Sequence, residues 1–112
     1  MKKNIMISEL IGRNAISMTS GNKLYKEMKS IINEDIHLCI DFTNVEYYAS
    51  PFFNSSFGLL LKDINIDRLK THVKLQGMND TGISLLNLVI DNAITFYKNK
   101  ETIGKAISDN QE

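Results

Sequence analysis

The stretch HLCIDFTNVEYYASPFFNSSFGLLLKDI, His37 to Ile64, decides how the chain is read. Residues 37–42, HLCIDF, are a compact run of β-formers with apolar residues on both alternating faces except at Asp41. That pattern predicts a central strand covered on both sides. A carboxylate in an apolar strand needs a partner or an open strand end, and bonding to the backbone of the following Thr43-Asn44 turn satisfies it. From Pro51 the period changes: Phe53, Phe57, Leu60 and Leu61 fall at i, i+4, i+7 and i+8, the stripe of a core-facing helix. Pro51 is the only proline. The expectation is that Ser50 caps this helix and Pro51 takes its first position, where a missing N–H and a fixed φ cost nothing.

Working outward, the chain alternates. NIMIS, 4–8, is a short strand candidate, followed by a polar connection through Gly12 and Arg13. Thr19 or Ser20 is expected to cap a helix whose Leu24, Met28, Ile31 and Ile32 form one apolar stripe. Beyond a loop through Asp63–Thr71, HVKLQ (72–76) alternates as a strand and Gly77 breaks it. DTGISLLNLVIDN, 80–92, predicts a third helix ending near Asp91-Asn92, since asparagine tolerates the left-handed cap. ITFY, 94–97, is richer in strand than helix formers, and KETIGKAISD, 100–109, would close the chain as a short helix. The expected architecture is α/β: one domain over 1–109 with a frayed tail at 110–112. In it, a small four-stranded sheet, mostly parallel or mixed, packs against three main helices and a short C-terminal one.

Composition narrows the chemistry. At 112 residues there is room for a single modest core. Thirteen basic residues balance thirteen acidic ones, so no whole-chain field attracts nucleic acid or an anionic membrane. Neutrality suits a monomer or weak homodimer and a close protein partner. Cys39 is the only cysteine, which excludes an internal disulfide, and between Leu38 and Ile40 it reads as a small core hydrophobe. No stretch approaches a membrane span or makes a convincing signal peptide, and a cytoplasmic protein is expected.

Most catalytic readings fail on inventory. His37 and His72 each open a predicted strand, and without an i, i+4 histidine pair no metal site is expected. No nucleophile elbow, Walker loop or dinucleotide glycine pattern is present, so neither an enzyme nor a cofactor is expected. GMNDTG, 77–82, could offer backbone N–H groups of Asn79, Asp80, Thr81 and Gly82 to an anion or small ligand. The plainer reading makes Asn79 or Asp80 a helix cap. DRLKTHVK, 67–74, is mildly basic but lacks interleaved aromatics, so nucleic-acid binding is not expected. Phe52 lies off the apolar stripe, either as an exposed contact anchor or tucked under the loop.

The central segment resembles STAS domains, the anti-sigma factor antagonist fold, and especially their STAS-like relatives. The matching residues are Ile40-Asp41-Phe42, Val45, Ser50 and the helix through Phe57-Gly58-Leu59, with a similar ending over 85–107. The resemblance implies a non-enzymatic partner-switch module that binds a GHKL-type ATPase or kinase. Its contact surface would be the 47–50 turn and the helix from Pro51, carrying Tyr48, Ser50, Phe52, Asn54 and Ser55. Switching members carry a run resembling Asp-Ser-Ser-Gly whose second serine is phosphorylated. This chain has Ala49-Ser50-Pro51-Phe52, so proline stands in the acceptor's place. The resemblance therefore implies a recognition edge without that phosphorylation switch. The alternative is a small-ligand or nucleotide-binding domain using 77–82 and the helix start at Ser50.

Overall fold

The computed structural model describes residues 2–32, 34 and 36–110, with side chains as far as Lys98. Three parallel strands form the main sheet in the order β1-β3-β5: β1 (Lys2–Met6), β3 (His37–Asp41) and β5 (Val73–Gln76). Two very short strands, β2 (Asn14–Ala15) and β4 (Tyr47–Tyr48), pair in parallel as a separate ladder. Five α-helices complete the fold: α1 (Ile7–Ile11), α2 (Met18–Ile32), α3 (Ser50–Phe53), α4 (Ile66–His72) and α5 (Asp80–Asn110). The result is a small α/β domain with parallel pairing throughout, as the alternation of periods implies.

The apolar stripes bury as their spacing requires. Leu24, Met28, Ile31 and Ile32 of α2 join Phe53, Phe57, Leu60 and Leu61, and Leu38 and Ile40 of the central strand, in one core. Ser17, rather than Thr19 or Ser20, caps α2: its Oγ accepts from the Ser20 N–H at 3.0 Å. β1 ends at Met6, so Ile7 and Ser8, expected in the first strand, open α1, and the expected polar connection holds the rest of α1 and β2. The expected loop over 63–71 holds α4 up to Thr71, with His72 its last residue, and Asn65 caps this helix through the Arg68 N–H at 2.8 Å.

Two expectations about the sheet are corrected. Residues 94–97 are helical, inside a continuous α5 that also takes in 100–109, so among the described residues no fourth strand joins the main sheet. Packing overrides local strand propensity here. Leu86 and Val89 are buried, and Ile90, Ala93, Ile94 and Tyr97 continue the same stripe at helical spacing against the core. An asparagine at 92 is then an ordinary exposed helical residue. The side chains of Ile103, Ala106 and Ile107 and the tail residues 111 and 112 lie outside the described residues.

Among the described residues the central strand is fully buried on one face only. Leu38 and Ile40 are buried, whereas Cys39 and Asp41 on the other face are half-buried and His37 is exposed. Cys39 is thus a partly exposed thiol instead of a core residue.

After Phe53 the helix widens into a π-helical segment, Asn54–Gly58, before returning to α geometry at Leu59–Leu60. Its serines bond back to the preceding turn. Ser55 donates to the Pro51 carbonyl at 2.8 Å and Ser56 to that of Phe52 at 2.8 Å. Such back-bonding supplies donors to carbonyls that a widened i→i+5 ladder leaves without their usual partners.

Candidate functional site: the surface around the start of α3

The β2–β4 ladder positions this site. Asn14 pairs with Tyr47 and Ala15 with Tyr48, and the Ala49 N–H donates to the Ala15 carbonyl at 3.0 Å. Side chains alternate across a strand, so the two tyrosines part company. Tyr48 turns inward: its ring stacks on Phe53 at 5.9 Å, and its hydroxyl donates to the Val45 carbonyl at 3.2 Å. Burial pushes the Tyr48 hydroxyl pKa up. Tyr47 turns outward and is 61% exposed.

The same alternation buries Ala15 and exposes Ile16 (43%), and Met18, opening α2 one residue past the Ser17 cap, is 64% exposed. The first turns of α2 and α3 meet at Gly21, where an added Cβ would overlap the Ser55 hydroxyl and the Phe52 carbonyl. Ile16, Met18, Tyr47 and Pro51 are thus exposed on segments that meet around the start of α3. Asn54 is exposed on the same helix, and an Arg13–Glu46 ion pair of 2.6 Å sits at the edge of the ladder.

The helix start differs from the expectation by one residue. Ala49 occupies the capping position with extended backbone and no side-chain bond, and Ser50 is already helical, with Pro51 second. Ser50 is half-buried. Phe52 is fully buried, edge-on to Phe53 at 5.3 Å, and Ser55 is buried beneath Gly21. Of the five residues inferred for the contact surface, Asn54 is exposed, Tyr48 and Ser50 are half-buried, and Phe52 and Ser55 cannot present their side chains to a partner. Sequence reasoning missed Ile16 and Met18, and reached Tyr47 only as part of the 47–50 turn. Alternation of small and large residues through 14–18 and the YY pair was the available signal, but two-residue strands are too short to announce a period.

The loop at 77–82 lies beside this turn. The Asn79 side-chain amide donates to the Glu46 carbonyl at 3.4 Å, and Tyr48 packs against Gly82. Asn79 caps α5, its Oδ1 accepting from the Gly82 N–H at 2.9 Å. Asp80 and Thr81 are exposed in the first turn. The cap engages a backbone donor that an anion would need, and the cleft next to this loop, about 260 Å³, has no charged residue in its lining.

Asp41 performs the turn-closing role expected of it. Its Oδ1 accepts from the Thr43 N–H at 2.8 Å and the Thr43 hydroxyl at 2.5 Å, and its Oδ2 from the Gln76 amide at 3.1 Å. The Thr43 side-chain bond, then its backbone bond, then Gln76 hold the carboxyl below its ordinary pKa. His37 and His72 stack on each other with centroids 5.1 Å apart. Among the described residues no group of three His, Cys, Asp or Glu side chains is placed to hold a metal ion, and no helix is long and apolar enough to cross a membrane.

A parallel-sheeted α/β unit with a strand–turn–helix joint at Asp41–Pro51 is the arrangement of a STAS-like domain. Residues 20–82 match the family described as STAS-like domain of unknown function (DUF4325), and the chain belongs to that family. The matched region runs from the first turn of α2 to the first turn of α5 and includes the whole joint. Neither the curated proteins nor the solved structures contain a significant match to the chain.

Proposed function

We propose that the chain is a non-enzymatic interaction module of a bacterial-type regulatory system, and that it binds a GHKL-type ATPase or kinase through the surface around the start of α3. The observation that carries this reading is the exposure of the apolar side chains of Ile16, Met18, Tyr47 and Pro51 on the segments that the β2–β4 ladder and Gly21 join. A Tyr beside exposed aliphatic residues, rimmed by the Arg13–Glu46 pair and Asn54, has the makeup of a contact patch with an apolar centre and a polar edge. Pro51 in place of a phosphorylatable serine supports constitutive recognition over a charge-controlled switch.

The test is capture of a GHKL-type partner, encoded beside the chain, by the wild type and by Tyr47→Arg and Met18→Arg variants. Both variants are expected to weaken capture by about tenfold or more, since each places an unpaired charge in a desolvated contact. Unchanged capture by both would remove this surface assignment.

A further inference from the structure

The main sheet leaves a second surface. The register β1-β3-β5 places Lys2 and Asn4, His37 and Cys39, and Lys74 and Gln76 on the face opposite Leu38 and Ile40. Parallel sheets ordinarily bury both faces, but here Cys39 and Asp41 are half-buried, Lys74 and Gln76 are exposed, and the end of α4 borders the face through Lys70 and His72. A cleft of about 630 Å³ lies over it, bordered by Lys2, Asn4, His37, Cys39, Lys74 and the Lys70–His72 end of α4. Its cationic lining is Lys2, Lys70 and Lys74, and among the described residues no carboxylate lines it. Asp41, one step further along β3, is bonded to Thr43 and Gln76. In a chain with equal numbers of acidic and basic residues this is a local segregation of charge.

We propose that this face docks an acidic segment of a partner protein, whose carboxylates meet Lys2, Lys70 and Lys74. None of these residues belongs to the patch around α3, so the proposal stands apart from that reading. A nucleic acid fits less well. The neutral chain supplies no long-range field for a polyanion, and the cleft has no Phe, Tyr or Trp on which unpaired bases would stack.

The test uses the full chain at low ionic strength. Its probes are a short fluorescent oligoglutamate peptide and an oligothymidylate of equal charge. The peptide is expected to bind and to shift backbone amides confined to residues 2–6, 37–41 and 70–76. Lys70→Glu with Lys74→Glu is expected to raise Kd by about tenfold, whereas Lys23→Glu with Lys26→Glu on α2, an equal charge change, leaves it within about twofold. The proposal is overturned if the peptide fails to bind, if its shifts scatter over the surface, if both double variants weaken binding equally, or if the oligothymidylate binds as tightly. The amide map of the wild type decides the matter even if a variant fails to fold.

Discussion

The backbone of Gly21 lies against Ser55 and the Phe52 carbonyl so closely that an added Cβ would overlap both. This contact joins the first turn of α2 to the start of α3. The atoms in the way include backbone, which cannot swing aside. Gly21→Ala is therefore expected to destabilise the domain by about 1–3 kcal/mol through overpacking, read as a lower midpoint in urea unfolding.

Phe52 and Tyr47 should separate cleanly in a stability assay. Phe52 is fully buried, and Phe52→Ala is expected to cost about 3–5 kcal/mol, enough to unfold a marginal domain. Tyr47→Arg at an exposed position should stay within about 0.5 kcal/mol of wild type. Chemical denaturation of the two variants checks both. A small effect at Phe52 would contradict its burial.

The structure reads α5 as unbroken past residue 92, and Asn92 tests this. In a helix interior Asn92→Ala is expected to stabilise by about 0.5 kcal/mol, because alanine is the better helix former. At a left-handed cap the same change would destabilise. The direction of the shift in thermal midpoint distinguishes the two.

Asp41 links stability to pH. Its hydrogen bonds from Thr43 and Gln76 favour the ionised carboxyl, so the folded pKa lies below the unfolded one. The stabilisation is complete above the unfolded carboxylate range and is lost as pH falls through that range and the lower folded value. Wild type should lose stability on acidification in excess of Asp41→Asn, and urea midpoints for both across the acid range measure the difference. Equal losses would deny Asp41 this role.

The long apolar stripes were legible in the sequence because each spans several turns: Leu24–Met28–Ile31, Phe53–Phe57–Leu60 and Leu85–Leu86–Val89 all face the core. The turn role of Asp41 and the cap at Asn79 were legible for the same kind of local reason. The reading faltered where a tertiary contact decides. Phe52 lies off the stripe of a regular helix, yet it is enclosed at the meeting of α2 and α3. Ile94 to Tyr97 have strand propensity, but their inward side chains continue the stripe of α5. The contact patch was only half legible. Tyr47 and Met18 come from segments about thirty residues apart, brought together by a two-residue ladder with no period of its own.

The most direct measurement of the central claim is the affinity of the purified chain for its GHKL-type partner, compared among wild type, Met18→Arg, Tyr47→Arg and the remote control Lys26→Glu. The proposed surface requires a loss of about tenfold or more in both arginine variants, with unfolding midpoints and the control's affinity unchanged. Wild-type affinity in both arginine variants, or an equal loss in the control, would contradict it.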